Sequence, residues 1–325
     1  MHSVNNFMSD SKILFVDLLY SEHGSYDDDY AAIRQALPEV HCDYLKCNVR
    51  DGMGGMLHTL RSALSRRYAK VIFLSAKVYQ LAMLAPLGLL SDTYAIYHFM
   101  PNSRVRLHSR MLPVLSKCFH FATYADAVSD LFGSVATTRP PALPSRIVEK
   151  AESERLLREK FASCASLQVL VPGVRPGVRK FIDPQRLLAQ LQQATGAREI
   201  RLFIQGDPVD ASVGHPSIEF VRKGIPKDEY NALYRSSHVV AVEFDDSYEV
   251  RASGVILDAA ASGCLVLTTG HAINRGYGFP DTILCDIERI GALIGRIRSG
   301  GPLQPLVPGA GIEEFSQRWR AFLSL

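Results

Sequence analysis

Long apolar runs are what this chain most clearly lacks. Its longest markedly apolar stretch, Leu81 to Leu90, is interrupted by Pro86 and Gly88 and is too short to span a bilayer. The first ten residues, Met1 to Asp10, are polar and carry no signal-peptide core. Paired cysteines are missing too. Six cysteines are scattered with no Cys-x-x-Cys pair, which points to reduced thiols in the cytosol and away from zinc. Neither charge sign dominates: the formal net charge is +3, so nothing demands a nucleic-acid partner. There is no low-complexity tract and no repeat of solenoid period. What remains is the composition of a globular protein, 47% hydrophobic and 21% charged, with 325 residues for two domains of ordinary size.

The first half alternates strand and helix patterns. Strands are predicted at Ile13 to Leu19, His41 to Cys47, Val71 to Ser75, Thr93 to Phe99 and Phe119 to Thr123. Helices are predicted at Tyr30 to Leu37, Leu57 to Tyr68, Val78 to Leu90 (around a proline) and Arg104 to Leu115. Such alternation implies a parallel sheet covered on both faces. Three prolines within Pro140 to Pro144 then stiffen a connector. The second half repeats the logic after a charged helix, Glu149 to Phe161. Its strands are Leu167 to Val171, Ile200 to Gln205, Ile218 to Val221, Val239 to Phe244 and Leu265 to Val266-Leu267. Its helices are Pro184 to Ala194, Pro226 to Arg235 and a last one, Ile312 to Leu325. The expected architecture is α/β, two Rossmann-like doubly wound parallel-sheet domains facing a cleft. The domains span 1–140 and 141–311, and the 312–325 helix is expected to pack back toward the first. Ligands bind outside the carboxyl ends of such sheets.

The most informative stretch is Arg251-Ala252-Ser253-Gly254 running into Val255 to Leu267. Ser253 suits an N-cap, and Gly263 suits the left-handed residue past the helix end. A helix opened by Ser253-Gly254 offers free N–H groups to a phosphate. Asp258 lies one turn further in, on the face of Gly254, within reach of ribose hydroxyls. The alternative is a plain crossover with an ordinary cap.

The loop after Leu167 to Val171 is Pro172-Gly173-Val174-Arg175-Pro176-Gly177-Val178-Arg179-Lys180. Arg175 and Lys180 bracket it, and they either meet the same anion as the Ser253-Gly254 helix end or form a solvated basic turn. His98 ends a strand, where a cleft ligand would find it, or is structural. In Glu22-His23-Gly24-Ser25, Gly24 permits close backbone approach and His23 offers an acceptor-side base, or the segment is a simple polar turn. Glu243, Asp245-Asp246 and Glu249 precede the phosphate helix and either bind sugar hydroxyls or are solvated. Asp27-Asp28-Asp29 reads as a helix start and not as a metal site. Arg61, Arg66, Arg67 and Lys70 form one basic cluster, and Arg104, Arg106, His108 and Arg110 another. They suit anionic lipid headgroups, a phosphorylated acceptor, or plain charged helix faces.

Taken together the pattern resembles the GT-B glycosyltransferases, in particular family 4 of retaining, nucleotide-sugar-dependent enzymes. The resemblance is best from Leu167 to Gly278. Gly173-Val174-Arg175 with Lys180 is similar to the family's Gly-x-Arg … Lys signature. Ile225 to Val239 is similar to its passage into the donor loop. Asp258-Ala259-Ala260-Ala261-Ser262-Gly263-Cys264-Leu265-Val266 is similar to its Glu-Ala-x-Ala-x-Gly-x-Pro-Val segment. The resemblance implies that Arg175 and Lys180 neutralise the donor diphosphate, with Ser253 and Gly254 as further donors. It implies that Asp258 holds the ribose and that His98 sits near the transferred sugar. The family's second Glu is Asp258 here. Its first falls at Val250, so Glu249 takes that role only through a one-residue bulge. Arg251-Ala252-Ser253 replaces Gly-Phe-Gly, and Arg251 adds a phosphate contact.

The implied donor is a UDP- or GDP-linked sugar, used without a metal or other cofactor. The implied acceptor is a carbohydrate or lipid-linked acceptor in polysaccharide or glycolipid synthesis. The implied setting is cytoplasmic, with peripheral contact at the inner face of the membrane. A sugar-nucleotide epimerase on the same fold and a catalytically inactive binding or scaffold protein are the alternatives.

Overall fold

A computed structural model of the chain describes residues 12–19, 26–47, 52–65, 68–89, 91–97, 105–123, 129, 132, 135–138, 150–162, 166–174, 179–206, 214–222, 224–245, 254–268, 284–303 and 311–324. They fall into two compact units, one from residues 1–146 with 311–325, the other from 147–310.

The first unit is built on short strands whose central members are buried on both faces, as a sheet covered by helices requires. β1 (Ile13–Asp17) is buried throughout. β2 (Cys42–Lys46), β3 (Lys70–Ser75), β4 (Asp92–Tyr97), β5 (His120–Thr123) and β6 (Thr137–Thr138) complete a sheet of order β2-β1-β3-β4-β5-β6, with every neighbour parallel. The helices between them are α1 (Tyr26–Ala36), α2 (Gly52–Ser65), α3 (Val78–Met83), α4 (Ala85–Gly88) and α5 (Val105–Leu115).

The single helix expected over Val78 to Leu90 is therefore two. Pro86 sits in the first turn of α4, where its missing N–H is harmless. Thr137–Thr138, just before the proline connector and not among the expected strands, pairs with Phe121 and Ala122 as a sixth strand. Asp27, Asp28 and Asp29 occupy the first turn of α1, and Lys46 Nζ lies 2.8 Å from Asp27.

The second unit contains α6 (Lys150–Ala162), β7 (Leu167–Val171), α7 (Pro184–Thr195), β8 (Ile200–Gln205), β9 (Ile218–Val221), α8 (Lys227–Ser236), β10 (Val239–Ala241), α9 (Gly254–Ala261), β11 (Leu265–Leu267), β12 (Leu284–Cys285) and α10 (Ile290–Arg298). Its order is β12-β11-β10-β7-β8-β9, again parallel throughout. The chain winds outward from β7 through β8 to β9, then returns to place β10 on the other side of β7. The switch point thus lies between β7 and β10. Among the described residues no helix is long and apolar enough to cross a membrane.

The last helix, α11 (Gly311–Leu323), belongs to the first unit and lies against α1. Trp319, the only tryptophan of the chain, is fully buried there, edge-on to Phe15 at 6.4 Å. Arg320 pairs with Glu39 beside it.

His238, just before β10, is buried, and its Nδ1 accepts the Gln168 N–H at 3.1 Å. Burial first, and the Lys160 charge second, hold its pKa below the usual histidine value. A base whose folded pKa is depressed gives stability above its unfolded pKa and loses it as the pH falls. Unfolding free energy should therefore decline below about pH 6.5, by at most about 1.4 kcal/mol per pH unit. His238→Asn, which keeps an acceptor but does not titrate, should flatten that decline in denaturant titrations at pH 5 and 7. A decline of unchanged slope would remove His238 as its source.

Candidate functional site

The loop that leaves β7 begins at a place with no room for a side chain. Gly173 is buried, and a Cβ built on it would lie 2.2 Å from the carbonyl oxygen of Gln205 at the end of β8. Arg179 and Lys180 follow in the same segment of the sequence. Arg179 bridges antiparallel to Phe244, and the Lys180 N–H donates to the Glu243 carbonyl at 2.9 Å. This pairing replaces the longer strand expected over Val239 to Phe244, because β10 ends at Ala241. Two stretches far apart in sequence are thereby tied together at the carboxyl edge of the sheet, beside the switch point.

A cavity of about 390 Å³ opens next to this pairing. Phe181, Asp183, Arg186, Glu243, Thr268 and Asp286 are among its lining residues. Two of its carboxylates already cap backbone. Asp183 accepts from the Gln185 and Arg186 N–H groups at 3.0 and 3.2 Å, and Asp286 accepts from Arg289 at 2.9 Å.

α9 follows β10 and leads into β11, so its N-terminus also lies at the carboxyl edge. Gly254 is its first residue, exposed, with open space where a Cβ would stand. Asp258 is half-buried one turn further along. Its charge reaches a tyrosine pair on α8. The Tyr230 and Tyr234 hydroxyls are 2.7 Å apart, at i and i+4. Burial is the main cause that pushes both phenols above their ordinary pKa, and Asp258 adds to it, while Arg179 pulls the other way. Both hydroxyls therefore stay protonated at neutral pH. Arg179 is half-buried, and its Nε is buried with no hydrogen-bond partner among the described residues.

Of the residues singled out in the sequence, Gly173, Lys180, Gly254 and Asp258 lie at this edge. Gly173 is buried, whereas Lys180 is exposed. His98, Arg175, Glu249, Gly24, Arg251 and Ser253 lie outside the described residues. Two features of this edge lie beyond the residues singled out in the sequence. Arg179 stands beside Lys180 in the loop, and its bridge to Phe244 distinguishes it. Tyr230 and Tyr234 stand at i and i+4 on one helix face, a spacing visible in the sequence. Gly263 takes the left-handed conformation expected past the helix end, with φ of 66°.

No protein-family model and no curated protein matches the chain. Solved structures match nearly all of it. HepE of Anabaena, solved with UDP and glucose, superposes with a TM-score of 0.57 at 11% identity, over 97% of this chain and 99% of that one. The UDP-forming α,α-trehalose-phosphate synthase of Burkholderia xenovorans, solved with glucose-6-phosphate, gives 0.56 at 10%, over 97% and 100%. UDP-GlcNAc 2-epimerase of Methanocaldococcus jannaschii gives 0.59 at 10%, over 97% and 100%. The chain has the GT-B fold. Transferases and an epimerase share this GT-B frame, so the choice between them rests on chemistry and not on the fold.

Proposed function

We propose that this protein is a glycosyltransferase that moves a sugar from a nucleoside diphosphate to a carbohydrate or lipid-linked acceptor. The observation that carries the reading is the pairing of Arg179 and Lys180 with Glu243 and Phe244. It holds a cation-bearing loop at the edge from which α9 presents its N-terminus. In the reaction the bond from the anomeric carbon to the diphosphate oxygen breaks, the acceptor oxygen takes the sugar, and the acceptor's hydroxyl proton passes to the departing diphosphate. Charge builds on the departing diphosphate, and fixed cations with a helix dipole stabilise it there without a metal.

In this reading Lys180 meets the diphosphate, and Arg179, with its unsatisfied buried Nε, joins it. Gly254 offers its N–H, and Asp258 receives the ribose hydroxyls. Arg175, Ser253 and Arg251 complete the phosphate contacts, His98 and Glu249 attend the sugar, and Gly24 lets the nucleotide sugar approach the backbone. The roles of Arg175, Ser253, His98 and Glu249 rest on the family resemblance, as do a retaining outcome and a place at the inner face of a membrane.

The test is calorimetry with UDP-, GDP- and ADP-glucose. One of the three should bind. Lys180→Ala and Arg179→Met should each weaken that binding roughly tenfold to a hundredfold, as loss of a charge-assisted hydrogen bond does, with unchanged circular dichroism. Absence of affinity for every nucleoside diphosphate sinks the reading. A labelled sugar nucleotide epimerised with no acceptor present would assign the site to epimerase chemistry instead.

A further inference from the structure

The proposed transferase site leaves the 390 Å³ cavity of the second unit unused. The two lie on different faces of the sheet. β7 to β8 and β8 to β9 step one way across it, whereas β9 to β10 and β10 to β11 step the other. Right-handed connections then put α7 on one face and α8 and α9 on the opposite one. The cavity takes its helical residues from α7, and its strand residues from the carboxyl ends of β10 and β11. Asp258 on α9 and the tyrosine pair on α8 therefore belong to the other side.

The cavity floor is apolar: Leu187, Ala241 and Leu267 are all buried. Phe181, 52% exposed, adds an aromatic ring to the wall. The polar groups of the wall are of both kinds. Asp183, Glu243 and Asp286 offer carboxylate oxygens, and Arg186 and Gln190 offer N–H groups. Asp183 and Asp286 are held in place by the backbone N–H groups they cap. The side chains of Arg186, Gln190 and Glu243 make no hydrogen bond and no ion pair among the described residues. Arg186 and Glu243 thus carry opposite charges, line one cavity and do not pair. Donors and acceptors without partners surround an apolar floor.

We propose that this cavity binds a carbohydrate of one or two sugar rings, separately from the nucleotide. A sugar hydroxyl donates and accepts at once, so it needs both kinds of partner. The C–H faces of the ring suit an aliphatic floor and an aromatic wall. The volume falls in the range of small-molecule sites, about 300–1,000 Å³. Other ligand classes fit less well. A phosphate or nucleotide meets three carboxylates against one guanidinium. A wholly apolar ligand would strip water from Arg186 and Glu243 and return no hydrogen bond. A metal ion finds no group of three ligands able to share it among the described residues, although three carboxylates line the wall. The inference does not depend on the proposed transferase activity, and its test reads binding alone.

The full chain is titrated with glucose, N-acetylglucosamine, maltose and cellobiose, and binding is read by saturation-transfer NMR. At least one sugar should bind, with a Kd of about 1 mM. Its affinity should hold as salt rises from about 0.1 M to about 0.5 M, because the ligand is neutral. Phe181→Ala and Gln190→Leu should each weaken it by about tenfold, with an unchanged circular dichroism spectrum. Saturating UDP, GDP or ADP should not displace the sugar. No binding of any of the four sugars overturns the proposal, as does unchanged affinity in both variants. Displacement by a nucleotide would put the sugar in the diphosphate site and overturns it too. Binding of leucine that salt weakens, with none of the sugars bound, would assign the cavity to a zwitterion and refute the carbohydrate. Sugar binding without affinity for any nucleoside diphosphate would uphold this site and sink the transferase reading alone.

Discussion

Replacement of Gly173 by valine should abolish measurable nucleotide-sugar binding, a loss of at least about a hundredfold, and destabilise the second unit by roughly 3 kcal/mol. The reason is local and steric. The added Cβ would stand 2.2 Å from the Gln205 carbonyl oxygen and 3.2 Å from its carbon. Both are backbone atoms of the paired neighbouring strand, so no side chain can swing aside. β7 or β8 must move, and the loop between Gly173 and Arg179 hangs from that end. Only seven residues after Gly173 the Lys180 N–H is tied to the Glu243 carbonyl, so a shift at Gly173 falls close to the anchor of Arg179 and Lys180. Gly254→Ala provides the contrast. A Cβ there meets nothing within 4 Å, so stability should change by less than about 0.5 kcal/mol. A fall in affinity in that variant would then report close approach of the ligand to the α9 N-terminus. Calorimetry together with thermal unfolding separates the two. Wild-type affinity in Gly173→Val would show that the loop does not position the site.

The parallel frame was legible because it depends on local pattern. Buried apolar runs such as Val71 to Ser75 and Leu167 to Val171, separated by helical periods, admit few other readings. The failures share a cause: they depend on partners distant in the chain. Thr137–Thr138 is a strand only because Phe121 and Ala122 lie alongside, and Leu284–Cys285 only because Val266 and Leu267 do. The bridge of Arg179 with Phe244 joins residues with no common local signal. Without it the signature alone favours Lys180 as the ligand, although Arg179 is the one with a buried guanidinium nitrogen. The basic clusters were visible as composition. That α2 and α5, which carry Arg61 and Arg110, share one face needed the sheet order.

Gly263→Ala should destabilise the second unit by about 3–5 kcal/mol. Gly263 has φ of 66°, a conformation that costs alanine about 1 kcal/mol or more. Its Cβ would lie 2.7 Å from the Leu157 nitrogen and 2.9 Å from the Leu156 carbonyl carbon, both in α6. α6 is the clamp on the site helix. Ser153 Oγ donates to the Ala260 carbonyl at 2.7 Å. Lys160 Nζ donates to the Tyr234 and Ser237 carbonyls at 3.0 and 2.8 Å and lies 3.3 Å from Cys264 Sγ. These contacts fix the ends of α8 and α9, and with them the Tyr230 pair and Asp258. Pushing α6 away would loosen all of them at once, so nucleotide affinity should fall together with stability. The chain supplies its own control, because Trp319 is its sole tryptophan and lies in the first unit. In Gly263→Ala the far-UV circular dichroism transition should split, its early phase shifted to lower denaturant. Tryptophan fluorescence should keep the wild-type midpoint. Coincident, unshifted transitions would mean that α6 yields freely and does not hold the site helix in place.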